Sequence, residues 1–175
     1  EGALQVVGEH LINLGFNCTR LPFSEDGFED IDNLFAKIGE SGKHLAFAGH
    51  IDVVPPGNEE SWKYPPFSAT IADGKLYGRG AEDMKGSVAC FISATSSFIK
   101  KYGHDFGGQL SFIITGDEER EAVNGTKKMM EWAKNNNVVF NHCIVGEPTS
   151  NKMVGDKIKI GRRGGYNGVV TVFGQ

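Results

Sequence analysis

The sequence predicts an α/β fold, a mainly parallel mixed sheet flanked by helices, and three observations carry that expectation. Short apolar runs of β-compatible residues alternate with stretches of helical periodicity. Turns rich in Gly, Asp, Ser and Pro separate them. The chemically interesting polar residues fall just after apolar runs, where open α/β sheets bind ligands beyond the carboxyl ends of their strands.

The elements follow in chain order. Leu4, Val7, Leu11 and Leu14 recur at helical spacing and stop at Gly15, so a first helix is expected over about residues 2–14. Strands are expected at 16–21, 33–38 and 45–48. Residues 55–66 hold four prolines and no periodicity, which reads as a surface loop. Residues 71–77 read as a hairpin about Asp73-Gly74. A long helix is expected from about 85 to 100, a strand at 110–115, a helix at about 125–135 and a strand at 139–145. The alternating apolar run 169–175 reads as a strand without a partner, and the chain starts at Glu1 with no signal-peptide pattern, so a piece of something larger is expected.

Composition excludes several classes. With 18 Lys and Arg against 22 Asp and Glu, the net charge of −4 lacks the basic excess that drives nucleic-acid binding. No apolar run nears the roughly 18 residues a membrane span needs. Cys18, Cys90 and Cys143 are too far apart for a zinc finger or a disulfide framework, so a cytoplasmic location is expected, with Cys90 a small core residue of the long helix.

Four segments carry candidate chemistry. His50 and Asp52 lie two apart after an apolar run, so they share one face of an extended segment, and a carboxylate there can hold one imidazole nitrogen while the other ligates. Gly78 to Gly86 resembles a phosphate-binding glycine loop, but Asp83 would repel a pyrophosphate. Taken alone, Asp83 reads first as the N-cap of the following helix, and a carboxylate at the end of a glycine-rich turn can also face a cation. Asp117, Glu118, Glu119 and Glu121 are four acids within five positions, more than a helix N-terminus explains. Glu147 again follows an apolar run and a glycine. Each segment has an ordinary turn or cap explanation taken singly. Together, one His and several carboxylates at strand ends suit zinc or another borderline divalent ion, and the acids outnumber what one tetrahedral ion uses. The sequons at Asn17 and Asn124 are read as unmodified, and His10, His44, His104 and His142 as structural or solvated.

The motifs GHIDVVP at 49–55, GRGAEDMKG at 78–86, GDEE at 116–119 and GEPT at 146–149 resemble, in order and spacing, the co-catalytic zinc aminoacylase/carboxypeptidase family. The resemblance implies a zinc-peptidase-like catalytic domain in which His50 and Glu147 bind one Zn2+, Asp83 bridges and Glu119 binds a second. It implies Glu118 as general base, Asp52 orienting His50, Arg162 gripping a substrate carboxylate, and a cis peptide between Asp83 and Met84. Two Zn2+ per intact subunit are implied, with Co2+ as a substitute, and so is a homodimer. The segments 62–67, 73–77 and 158–164 point within the family to a desuccinylase acting on a small N-acylated diamino acid. Deacetylases and dipeptidases share the four main motifs, and an inactive metal-binding remnant is the competing expectation from another class. The family's last zinc-ligating His and the oxyanion-stabilising His of a G-H pair have no match in the 175 residues. Residues 1–155 are accordingly expected to be the N-terminal part of the catalytic domain, and 156–175 a linker and first strand of a lid and dimerisation domain.

Overall fold

The computed structural model describes residues 2–161, 164 and 168–174. Helix α1 (Gly2–Asn13) buries Leu4, Val7 and Leu11 at the spacing of one helical face. Strands β1 (Asn17–Phe23), β2 (Ile31–Ile38) and β3 (His44–His50) follow. The proline-rich loop holds a single 3-10 turn, Glu59–Ser61, which aperiodic prolines do not announce; Asn58 caps it by accepting from the Glu60 N–H. The small hairpin of β4 (Thr70–Ala72) and β5 (Lys75–Tyr77) turns through Asp73 and Gly74, at φ 52° and 70°, as a two-residue turn between twisted strands requires. A tight turn over Ala81–Lys85, whose Asp83–Met84 peptide is cis, leads into α2 (Gly86–Tyr102). Strand β6 (Gln109–Thr115), helix α3 (Thr126–Asn135) and strand β7 (His142–Val145) complete the elements.

The main sheet has the order β1-β2-β6-β3-β7. The pairs β3–β6 and β3–β7 are parallel, whereas β2 is antiparallel to both β1 and β6. Four strands therefore point one way and β2 alone opposes them, which is the mainly parallel mixed sheet the sequence predicts. Central strands have both faces covered, so β6 is buried without alternation from Leu110 to Thr115. On one face α1 and α2 pack Leu4, Leu11, Val88 and Ile99 against Leu34, Phe47 and Phe112. Phe47 stacks on Phe91 with ring centroids 4.4 Å apart. On the other face, Met129 of α3 meets Leu21, Phe35, Ala46 and Ile113.

Three expectations need correction. Cys90 is exposed, not a core residue, because it sits two positions from Val88 and so turns away from the face of α2 that Val88, Thr95 and Ile99 bury. Strand β7 begins only at His142; before it, the chain from Val138 to Asn141 packs Phe140 against Phe35 and caps β3 through the Asn141 side chain. The alternating run near the C-terminus forms no strand over residues 168–174, where no neighbouring strand among the described residues supplies a ladder.

Candidate metal centre

The parallel register explains why distant acids meet. His50, the last residue of β3, pairs with Thr115, the last of β6, and Ala48 pairs with Val145, the last of β7. Two further hydrogen bonds carry the alignment past the strand ends: Ile51 N–H to the Thr115 carbonyl and Gly146 N–H to the Ala48 carbonyl, both 2.9 Å. The segments leaving the three strands thus bear His50 and Asp52, then Asp117 to Glu119, then Glu147, all at one edge of the sheet. Asp83 approaches from the turn before α2.

The His50 ring is wholly buried. Its Nδ1 lies 3.1 Å from the Asp52 carbonyl, which accepts only from a protonated nitrogen, so Nε2 is the nitrogen left facing the carboxylates. Nε2 is 3.0 Å from Asp83 Oδ1, 3.6 Å from Glu147 Oε1 and 3.8 Å from Glu118 Oε2. Ligand atoms of His50, Asp83 and Glu147 lie within 4.8 Å of one another, as do those of His50, Glu118 and Glu119. Among the described residues no such triple joins Asp83 to Glu119. Asp52 does two things. Its Oδ1 is 3.4 Å from His50 Nδ1, and its Oδ2 accepts from the Glu118 and Glu119 N–H groups at 3.0 and 2.9 Å, pinning the acidic turn to the His50 segment.

The electrostatics match this crowding. Burial pushes the Glu147 and Glu119 carboxyls up, and the nearby negative charge of Asp83 pushes them further. Burial opposes the charging of His50, but the hydrogen bonds to Asp52 and Asp83 outweigh it and lift the imidazole to about 9. Burial acts against the Asp52 charge too, yet the bonds from His50 and the two backbone N–H groups hold its carboxyl below the usual range. An open cavity of about 440 Å3, lined by His50, Glu118 and Glu147 among others, adjoins the cluster. A larger one of about 700 Å3 lies between α1 and α2, but its lining is mostly aliphatic and includes none of the clustered acids.

Some expected residues stand elsewhere. Asp117 is buried and turned from the cluster; its carboxylate accepts from the Ala122 and Asn124 N–H groups. Asn124 is fully buried with its Nδ2 bonded to the Glu29 carbonyl, so its sequon is closed in the folded chain. Arg162 lies outside the described residues. The sequence motif contains Met84 and Lys85 and marks Met84 only for its peptide bond with Asp83; the contacts of their side chains, Lys85 Nζ to the Ile51 carbonyl at 2.8 Å and the His50 N–H to Met84 Sδ at 3.2 Å, are not legible from it.

The mixed α/β sheet, with a buried imidazole and several carboxylates gathered at its carboxyl edge, has a zinc-peptidase-like fold. The chain belongs to peptidase family M20/M25/M40, whose sequence pattern matches residues 46–171. It is 55% identical over 174 residues to a succinyl-diaminopimelate desuccinylase of Methylorubrum populi, covering 99% of this chain and 45% of that protein. A protein of the same name from Methylorubrum extorquens is 52% identical over the same shares. The chain thus spans under half the length of these curated relatives. Among solved structures, human carnosine dipeptidase 1 matches with a TM-score of 0.70 at 28% identity, over 82% of this chain and 32% of that one. An M20 family metallo-carboxypeptidase of Sulfolobus solfataricus shares the fold, with a TM-score of 0.65 at 24% identity over 82% of this chain and 31% of the other.

Proposed function

We propose that residues 1–155 form the N-terminal part of the catalytic domain of a di-zinc amide hydrolase that removes succinate from N-succinyl-LL-2,6-diaminopimelate, in lysine and peptidoglycan precursor synthesis. Residues 156–175 would lead into a lid and dimerisation domain, and the working form would be a cytoplasmic homodimer. The observation that carries the reading is the convergence of Asp83, Glu147 and Glu118 on His50 Nε2 within 3.0–3.8 Å. The substrate rests on the 55% identity to a protein named for that activity.

The donor set fits a borderline divalent cation. One imidazole nitrogen is oriented into a group of carboxylates, two of which burial and then mutual repulsion already raise, a cost a cation relieves. His50, Asp83 and Glu147 would hold the first Zn2+, and Glu119, with Asp83 shared, the second; Co2+ would serve as a substitute. Bound there, the metal would polarise the scissile carbonyl and acidify the attacking water. Glu118, exposed and held by its backbone to Asp52, is left free to move protons. It takes one from the water as the C–O bond forms and returns it to the amine as the C–N bond breaks. Asp52 keeps His50 in the tautomer that faces the site. Arg162 would grip a substrate carboxylate with a bidentate fork.

With Nδ1 held by the Asp52 carbonyl, Nε2 is the one His50 nitrogen left for both residue triples, and it can ligate one ion only. A second zinc would find only carboxylates among the described residues. The 175 residues alone are therefore proposed to be inactive, with one site filled well and the other poorly. A dipeptidase or an acetylornithine deacetylase is the second reading, favoured by the likeness to carnosine dipeptidase 1. The test assays the full-length gene product with N-succinyl-diaminopimelate, N-acetylornithine and dipeptides. Preferred release of succinate is expected, and Glu118→Gln should lower turnover by about 10²–10⁴ while zinc uptake persists. Equal turnover of acetylornithine, or an active Glu118→Gln protein, would sink the assignment.

A further inference from the structure

We infer that Met84 is a positioning residue for the first metal site, a side chain that braces all three segments bearing His50, Asp83 and Glu147; the inference rests on the reading of those residues as ligands. Met84 follows Asp83 in sequence and is fully buried. Its Sδ accepts the backbone N–H of His50 at 3.2 Å, so it holds the imidazole-bearing residue by its main chain. Its methyl end lies against the glycines that precede the other two ligands. A first side-chain carbon at Gly49, before His50, would sit 2.7 Å from Met84 Cε, and one at Gly146, before Glu147, 2.6 Å from it. Real carbons do not approach that closely, so both positions exclude a side chain while Met84 occupies this space.

The arrangement has a mechanical consequence. The ends of β3 and β7 are joined by ladder hydrogen bonds, but Asp83 enters from a turn that belongs to neither strand. Two side-chain links fix its approach from the flank. Met84 wedges between the two strand ends, and Lys85 Nζ bonds the Ile51 carbonyl at 2.8 Å. Met84 is the deeper of the two, since Lys85 is half-exposed. Phe47 closes the wedge from below: the same carbon at Gly146 would lie 2.5 Å from Phe47 Cζ. Shortening Met84 lets the Asp83 turn move relative to His50 and Glu147, and a ligand set loosened by a fraction of an ångström loses metal affinity before it loses fold.

The experiment compares zinc affinity, by competition with a chromophoric chelator, in the full-length gene product and its Met84→Ala and Met129→Ala variants. Met129 is an equally buried methionine on the opposite face of the sheet, so it controls for the cavity alone. Met84→Ala is expected to weaken the tighter zinc site about 10–100-fold, with Met129→Ala near the parent value. Met84→Leu and Met129→Leu conserve volume and cover the case in which an alanine variant does not fold. Met84→Leu, which loses the sulfur acceptor, should still weaken zinc about fivefold. Equal affinities for the two positions in the folded pair would overturn the positioning role while leaving the metal reading intact. A parent protein that takes up no zinc would overturn both.

Discussion

Replacing Asp117 with alanine should destabilise the protein by about 2 kcal/mol, although the residue sits among acids that read as metal ligands. Its carboxylate is 4% exposed and accepts from Asn124 N–H at 2.8 Å and Ala122 N–H at 3.1 Å, closing the loop that follows β6. The Asn124 donor is fully buried, so without its acceptor it carries the desolvation penalty of an unsatisfied group, about 1–3 kcal/mol. The Ala122 donor is partly solvated and costs less, roughly 0.5–1.5 kcal/mol. Removing a buried carboxylate also removes its own desolvation cost, which places the total near the lower end of the sum. The neighbourhood offers little relief. Asn124 is tied through its carbonyl to Asn33 Nδ2, Asn33 accepts from Thr115 Oγ1 at 2.7 Å, and Thr115 Oγ1 accepts from the Asp117 N–H. Urea unfolding of the parent and Asp117→Ala proteins, with matched m-values, measures the difference. A change below about 0.5 kcal/mol, the range of an ordinary surface substitution, would refute the view of Asp117 as an internal clamp.

Other expectations follow from the same geometry. His44 is buried, with Nδ1 bonded to the Val139 carbonyl and Nε2 without a hydrogen-bond partner among the described residues, and burial lowers its pKa. Because the unfolded chain takes up that proton first, His44 costs stability as pH falls through about 6.5, and His44→Gln should flatten the slope between pH 7 and 5.5 in urea titrations. Gly146→Ala sets a carbon against Phe47 and Met84 and should destabilise by about 1–3 kcal/mol in the same unfolding assay, with weaker zinc binding. Chelation with EDTA should lower the melting temperature of the zinc-loaded protein, since an ion bound only by the native state stabilises it; an unchanged melting temperature would argue against a native-state metal site.

What the sequence made legible depended on how local its signals are. The helix over Gly2–Asn13 and the hairpin about Asp73-Gly74 rest on short-range periodicity and turn chemistry, which act without knowledge of the rest of the chain. The location of His50, Asp52, Glu118, Glu119 and Glu147 at strand ends was legible for a similar reason, because each follows an apolar run that parallel pairing must bury. Other features depend on contacts far apart in sequence. Asn33 bonds Asn124 across 91 positions and His44 bonds Asn141 across 97, and no window of sequence contains both partners. Cys90 has a residue type that suits a core, but its angle on α2 turns it to solvent.

The same distinction separates the acids from one another. Asp117, Glu118 and Glu119 are indistinguishable by composition, yet the structure gives each a different surrounding. The backbone N–H groups of Glu118 and Glu119 face Asp52, so the turn is pinned with those side chains toward His50. The residue before them lies two positions past the end of β6, and its side chain falls back over the loop to meet the Asn124 and Ala122 N–H groups. A charge cluster in sequence is therefore resolved by backbone direction. The two acids that share a face with His50 face one another as well, and their repulsion is left for a cation or a proton to relieve. Asp117 has backbone donors for its carboxylate and stands apart from the His50 cluster, so chelation of the zinc-loaded protein should leave the Asp117→Ala penalty unchanged.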